Sequence, residues 1–209
     1  YRHALLQSDF LLPDGIALQL WSNYSAKKKL HNLNGTDLTP ALLAYLNETH
    51  KTTLYIYSLY DPNIQKWEEW LQKGVDSLQK RYSDIDVAYS YQSLYANRGA
   101  DFPWDEIEKV SAADNAKVKL FLNCTGSPFQ ELRTEEYKEF FVKNGFLVMN
   151  VWGFLDFMSG FEKRAPQWVV KARVLETFRR ILSNPRKNMK KFLAMFGIFR
   201  IISRRLRLK

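Results

Sequence analysis

The chain is poor in cysteine, in histidine clusters and in long apolar runs, and each shortage excludes a class of protein. One cysteine, Cys124, allows no intramolecular disulfide and is typical of a reducing compartment. The three histidines form no constellation with that cysteine or with one another, so we expect no metal centre built on them. The longest apolar run, residues 146–158, is interrupted by Asn150 and Asp156. A spanning helix needs roughly 20 apolar residues, so we expect a protein that meets a membrane to lie on its surface.

Positive charge is scarce in most of the chain and concentrated at its end. Residues 161–209 hold 15 Lys or Arg against Glu162 and Glu176, a net charge of +13, whereas residues 1–160 carry −4. Apolar residues recur at helical spacing on both sides of Pro185, with cations beside them. Such basic amphipathic helices are typical of a surface that binds anionic lipid. The charge alone would also suit nucleic acid, but the continuous apolar stripe argues against that partner.

Strand-like and helix-like stretches alternate along the rest of the chain. Strands are predicted at residues 10–12, 30–33, 53–58, 86–91, 118–122 and 146–152, and helices at residues 16–24, 63–82, 104–112 and 135–144. Another helix is predicted to begin with Thr39 as N-cap and Pro40 at its first position. This alternation predicts a single Rossmann-like α/β domain, residues 1–160, with a mostly parallel sheet covered on both faces, and a basic helical appendage, residues 161–209. Ligands bind such sheets beyond the carboxyl ends of the strands.

Three separated motifs carry a resemblance to a known family. They are Leu11-Leu12-Pro13-Asp14-Gly15-Ile16, then Gly126-Ser127-Pro128-Phe129-Gln130-Glu131, and then FLDFMSGFEKRAPQW from residue 154, followed in the tail by LETFRRILSNPRKNMKKF. In this order they resemble the WecG/TagA/CpsF family of bacterial glycosyltransferases. The resemblance spans nearly the whole chain, although the middle of the chain matches weakly.

The resemblance implies an N-acetylmannosaminyltransferase-like enzyme. It would be a hexosyltransferase that moves a sugar from a UDP-sugar to a polyprenyl-diphosphate-linked acceptor, with inversion, in the synthesis of bacterial surface polysaccharide or wall polymer. We expect no cofactor and no metal, because Asp84-Ile85-Asp86, which resembles a DxD metal motif, precedes a predicted strand on the edge opposite the site. We expect the protein in the cytoplasm, peripheral on the inner face of the plasma membrane, and homo-oligomerisation away from the membrane is left open.

The resemblance also implies catalytic residues. Asp14 would be the base that accepts the proton of the acceptor hydroxyl, although a Pro-Asp-Gly turn also suits a simple helix cap. Arg179 and Arg186 would stabilise the departing UDP, and Arg164 would contact substrate. For each arginine, a solvated face that meets lipid headgroups is the alternative.

The remaining candidate residues would bind the donor. Gly126, Pro128 and Gln130 would line a nucleotide-sugar pocket, with Glu131 orienting the turn. Asp156 matches the family aspartate that contacts the nucleotide, although a capping role is the alternative. Gly35 and Asp37, which match a family Gly-x-Asp, complete the substrate-binding set.

Three departures from the family pattern leave a second hypothesis open. Asn32 stands where the family has arginine, residues 58–62 replace a glycine-rich turn, and Trp152-Gly153 stands where the family has two glycines. An inactive lipid-surface scaffold with the same fold is therefore the alternative to an enzyme. The family has a further segment ahead of its LPDG motif, so we also expect chain to be missing before Tyr1. Most tryptophans are expected in the core, with Trp152 and Trp168 as the exceptions.

Overall fold

The computed structural model of the protein describes residues 2–12, 22, 33–60, 69–94 and 102–162. Contacts along the chain divide it into two compact units, residues 1–12 with 33–163, and residues 13–32 with 164–209. The first unit holds every described residue except Ser22. The predictions for Asp14, Arg164, Arg179, Arg186 and the two tail helices lie outside the described residues.

The described strands form one parallel sheet, as predicted. They are β1 (Thr52–Tyr60), β2 (Ile85–Leu94), β3 (Val118–Cys124) and β4 (Phe146–Asn150). Their order is β2-β1-β3-β4, and all three pairings are parallel. The chain moves from β1 to a neighbour on one side and then crosses to the other side for β3. The strand order therefore reverses between β1 and β3, which is where doubly wound sheets open a crevice for a ligand.

Seven helices are described around this sheet. They are α1 (Arg2–Leu6), α2 (Gly35–Thr49), α3 (Trp70–Arg81), α4 (Trp104–Ala113), α5 (Phe129–Glu136), α6 (Lys138–Lys143) and α7 (Phe154–Met158). The predicted helices at residues 63–82 and 104–112 correspond to α3 and α4, with residues 61–68 outside the described part of the chain. Within the described residues no helix combines the length and apolarity that crossing a bilayer requires.

The sheet is covered on both faces, because side chains of successive strand residues alternate between two cores. Leu54 and Ile56 of β1 pack with Leu120 and Leu122 of β3 against apolar residues of α2, α3 and α7. Tyr55, Tyr57 and Phe121 face the other way and pack with α4 and α6 in an aromatic cluster. Edge-to-face contacts such as Tyr55 with Phe146, whose ring centroids lie 4.8 Å apart, order this second core.

Helix α2 begins five residues earlier than the Pro40 signal predicts. Asn34 is its N-cap, and the Asn34 Oδ1 accepts a hydrogen bond from the Asp37 backbone N–H at 2.8 Å. The Asn34 amide in turn donates to the Asp37 carboxylate at 2.8 Å. This reciprocal cap starts the helix at Gly35, so that Pro40 lies inside the helix and Thr39 is not the cap.

The prediction of a strand at residues 10–12 is wrong. These residues have no regular secondary structure and are exposed, Phe10 by 84%. An apolar run becomes a strand only by pairing with a neighbour, and none of the four described strands pairs with it. Helix α1, which precedes this run, was not predicted. It packs against α5, Ala4 is buried, and His3 Nδ1 forms a hydrogen bond with the Glu135 carboxylate. The weak strand predicted at residues 30–33 and the helix at 16–24 lie outside the described residues apart from Leu33 and Ser22.

The helix predicted at residues 135–144 is two helices. Helix α5 begins directly after Pro128, and α6 begins after Tyr137, whose φ of −105° and ψ of 21° lie outside the helical region. The Tyr137 ring stacks on Trp104 of α4, with centroids 3.8 Å apart. This contact lies at the break between the two helices, and the predicted start at residue 135 is six residues later than the observed start at Phe129.

Candidate functional site

Six predicted site residues fall within the described chain, and all six lie at the carboxyl edge of the sheet. Gly126, Pro128 and Gln130 follow β3, and Asp156 follows β4. Gly35 and Asp37 open α2, which runs back toward the start of β1. A Cβ placed on Gly35 would lie 3.4 Å from Val151 Cγ1, so the start of α2 touches the segment that leaves β4.

The turn between β3 and α5 is held by Asn123, a buried residue that the motif analysis missed. Its side-chain oxygen accepts from the Thr125 hydroxyl at 2.8 Å, and its amide nitrogen donates to the Gln130 carbonyl at 3.1 Å. Its own carbonyl accepts from the Val151 N–H at 2.9 Å. The Asn123 side chain therefore fixes the turn after β3, and the Asn123 backbone carbonyl joins this turn to the segment after β4.

Gly126 allows that turn for two reasons. Its φ of +85° is a left-handed conformation that residues with a Cβ rarely adopt. A Cβ at this position would also lie 3.2 Å from Trp152 Cδ1 and 3.3 Å from Trp152 Nε1. The indole of Trp152 thus packs directly on the turn, and 45% of Trp152 remains exposed.

Gln130 and Glu131 present buried oxygens to this edge. Gln130 is 7% exposed, and its Nε2 donates to Glu131 Oε1 at 2.8 Å. Within the described structure, neither Gln130 Oε1 nor Glu131 Oε2 has a hydrogen-bond partner. An unsatisfied buried acceptor costs about 1–3 kcal/mol, so both atoms favour a ligand that supplies N–H or O–H donors. This contact joins two neighbouring residues of α5, and the predicted role of Glu131 in orienting the turn stays a prediction.

Asp156 is a buried carboxyl group in α7. It is 6% exposed, and its charge adds to burial in raising the pKa of the Cys124 thiol, which places the carboxylate close to the end of β3. The N-cap of α7 is Gly153, with φ of +81°, and not Asp156. Burial is the larger cause of the Cys124 shift, and a thiol kept protonated in this way is not a nucleophile.

Helix α7 is seated against α3 by a close contact. A Cβ on Gly74 of α3 would lie 3.2 Å from Leu155 Cδ2 of α7. Leu155 is buried in the first core, beside Phe154. Because Gly74 has no side chain, α7 can approach α3 closely. This contact holds Asp156, the neighbour of Leu155, at the carboxyl edge.

Asp37 has a visible structural role, because it is the acidic half of the α2 cap described above. A carboxylate in the first turn is also favourable to the helix dipole. The capping bond and a substrate contact are compatible, since a carboxylate has two oxygens and several lone pairs.

Two further buried polar atoms lie near the site and were not predicted to take part in it. Ser58 pairs with Cys124 across β1 and β3 and is fully buried, and Trp70 opens α3. Ser58 Oγ and Trp70 Nε1 have no hydrogen-bond partner among the described residues. The only sequence signal for Ser58 is its place in the segment that replaces the glycine-rich turn of the family.

The DxD-like sequence lies away from this site. Asp84 precedes β2 and Asp86 pairs with Thr53 at the start of β1, so both stand at the amino edge of the sheet. No group of three or more His, Cys, Asp or Glu side chains suited to a metal ion occurs in the described part of the chain.

The parallel sheet with its reversed strand order defines a doubly wound, Rossmann-like α/β fold, and the buried polar groups of the candidate site lie at the edge where ligands bind in such folds. All 209 residues match the family model described as the Glycosyl transferase WecG/TagA/CpsF family. The chain belongs to that family, as its three motifs indicate.

Two curated relatives carry the same descriptive name. The chain is 27% identical over 186 residues to an N-acetylglucosaminyldiphosphoundecaprenol N-acetyl-beta-D-mannosaminyltransferase of Bacillus subtilis. It is 24% identical over 185 residues to the protein of that name in Bacillus spizizenii. The matches cover 88% of this chain and 65% of each relative, so the chain spans just under two thirds of their length.

Proposed function

We propose that the protein is an inverting glycosyltransferase that moves a sugar from a UDP-sugar to a polyprenyl-diphosphate-linked acceptor in the synthesis of a bacterial surface polymer. Membership of the family supports sugar transfer, and the names of both Bacillus relatives support a lipid-diphosphate acceptor. The observation that carries the proposal is the meeting of two family motifs at one sheet edge. There Gln130 offers an unsatisfied buried oxygen and Asp156 a buried carboxylate.

The donor would bind at this edge. Asp156 would accept a hydrogen bond from a ribose hydroxyl or a base N–H, and Gln130 Oε1 would accept a second one. Gly126 and Pro128 would let the nucleotide approach the backbone of the turn. Gly35 and Asp37, at the start of α2, would form one side of the site. The N–H and O–H groups of the nucleotide would form hydrogen bonds with the unsatisfied oxygens of the site, which supports a nucleoside diphosphate as ligand.

The transfer would be a single in-line displacement. The acceptor hydroxyl oxygen forms a bond to the anomeric carbon while the bond from that carbon to the UDP oxygen breaks, which inverts the configuration. Asp14 takes the proton of the acceptor hydroxyl, and Arg179 and Arg186 stabilise the charge that develops on UDP. Arg164 would contact the substrate beside them. Family motifs support these four roles.

The membrane would be reached through residues 161–209. Their net charge of +13 and their apolar stripe suit the anionic cytoplasmic leaflet, and each cation near such a surface contributes about 1 kcal/mol. A peripheral enzyme on that leaflet would meet a lipid-linked acceptor directly. Retention on vesicles that contain anionic lipid, and release by salt, would test this part of the proposal.

The test of the proposed function is a transfer assay with UDP-sugars and a short polyprenyl-diphosphate-linked N-acetylglucosamine, with the product identified by mass. Replacing Asp14 by Asn should lower turnover by roughly 10²–10⁴-fold, because the base is lost and the shape is kept. Asp84→Asn, at the opposite edge of the sheet, is the matched control and should leave turnover unchanged. A folded protein that binds vesicles but transfers no sugar would instead fit the inactive scaffold.

A further inference from the structure

Trp152 is the large aromatic side chain that follows β4 at the carboxyl edge. Its indole meets the Gly126 turn through the five-membered ring, since Cδ1, Nε1 and Cγ all lie within 3.5 Å of the position of a Gly126 Cβ. The rest of the ring system contributes to an exposed fraction of 45%. A partly uncovered ring therefore lies against the turn that leads into α5, the helix that holds Gln130.

The polar groups near Trp152 indicate which kind of ligand could bind against its ring. Gln130 is the second residue of α5, the helix that follows the Gly126 turn, and its buried Oε1 has no hydrogen-bond partner among the described residues. The buried carboxyl group of Asp156 lies four residues further along the chain, beyond the Gly153 bend. An aromatic face with hydrogen-bond acceptors beside it matches a flat group that carries N–H or O–H donors.

We propose that Trp152 stacks on the base of the nucleoside diphosphate and so sets how tightly the protein holds the nucleotide. The inference rests on the proposed function, which assigns Asp156 to the nucleotide. Trp152 and Asp156 flank the same short bend, so the indole belongs to the base side of the site rather than to the sugar side. Stacking of a base on an aromatic side chain changes affinity by roughly fivefold to a hundredfold or more.

The experiment is calorimetric titration of UDP into the full chain and into three variants. Trp152→Leu should bind UDP roughly tenfold more weakly, whereas Trp152→Phe, which keeps an aromatic face, should bind within about threefold of the parent protein. Tyr45→Leu removes another exposed aromatic ring, on α2, and should leave the affinity unchanged. Equal UDP affinity in Trp152→Leu and the parent protein would overturn the inference.

A second readout separates the remaining outcomes. Stacking should quench the fluorescence of Trp152, so the part of the UDP-dependent change that comes from this residue should vanish in Trp152→Phe. An undiminished change in that variant would contradict stacking even where Trp152→Leu fails to fold. Weaker binding of a UDP-sugar with unchanged binding of UDP would assign the indole to the sugar and overturn the proposal. Failure of the folded parent protein to bind UDP would instead refute the proposed function itself.

Discussion

At the scale of single residues, several buried polar atoms near the carboxyl edge of the sheet have no hydrogen-bond partner within the described part of the chain. Thr53, Tyr55 and Ser111 are buried and hydrogen-bonded, whereas Ser58 and Gln130 each keep a buried oxygen without a partner in the described structure. Proteins rarely leave such groups unpaired in a core. Their position at the carboxyl edge supports the proposed ligand site, where a bound ligand would satisfy them.

Two buried serines test that statement. Ser58→Ala should raise the free energy of unfolding by about 1 kcal/mol, because it removes a buried hydroxyl that has no partner. Ser111→Ala is the matched control and should lower it by about 1 kcal/mol, because the Ser111 hydroxyl donates to the Glu108 carbonyl at 3.0 Å. Urea denaturation of both variants is the measurement, and a loss of stability in Ser58→Ala would contradict the account.

At the scale of elements, the carboxyl edge is organised by two turns that touch. The turn after β3 carries Gly126 and the segment after β4 carries Trp152, and Asn123 bonds both. Helix α7 is then seated by the contact between Gly74 and Leu155. Glycine is required at these points by backbone conformation or by close approach.

Variants of two glycines distinguish the effect of the positive φ from the effect of the close contact with Trp152. Gly126→Ala and Gly145→Ala both place a side chain at positive φ, +85° and +70°, and each should lose about 1–2 kcal/mol of stability. Only Gly126→Ala also meets Trp152, since nothing lies within 4 Å of a Cβ on Gly145. Gly126→Ala should therefore lose more stability and also weaken nucleotide binding. Denaturation and UDP titration of the two variants measure this, and equal effects on both quantities would refute the role given to the contact.

The elements also show what local sequence signals can and cannot predict. The β-branched and aromatic residues at 53–58 predicted β1 correctly, because such side chains favour a buried strand and β1 finds partners on both sides, β2 and β3. The start of α2 was predicted wrongly, because Pro40 resembles a first-turn proline while the reciprocal bonds of Asn34 and Asp37 decide the boundary. The run at residues 10–12 failed as a strand because strand formation depends on a partner that local sequence does not specify.

At the scale of the whole molecule, the sequence motifs predicted at which edge of the sheet the described candidate residues lie, but not the contacts around them. The motifs brought Gly126, Gln130 and Asp156 to one edge once the alternation of strands and helices implied a parallel sheet. The network around Asn123 and the unsatisfied atoms of Ser58 and Trp70 depend on packing between elements distant in sequence. No sequence motif predicts these features, because the sequence alone does not show whether a buried side chain has a hydrogen-bond partner.

The measurement that tests the central claim most directly is calorimetric titration of UDP into the protein, with and without EDTA, beside the Asp156→Asn variant. We predict one UDP bound per chain, the same affinity in the presence of the chelator, and binding at least roughly tenfold weaker in the variant, since a hydrogen bond to a charged group contributes about 1.5–3 kcal/mol. A folded protein that binds no UDP, that loses UDP when EDTA is added, or that binds it equally well with asparagine at position 156 would contradict the account.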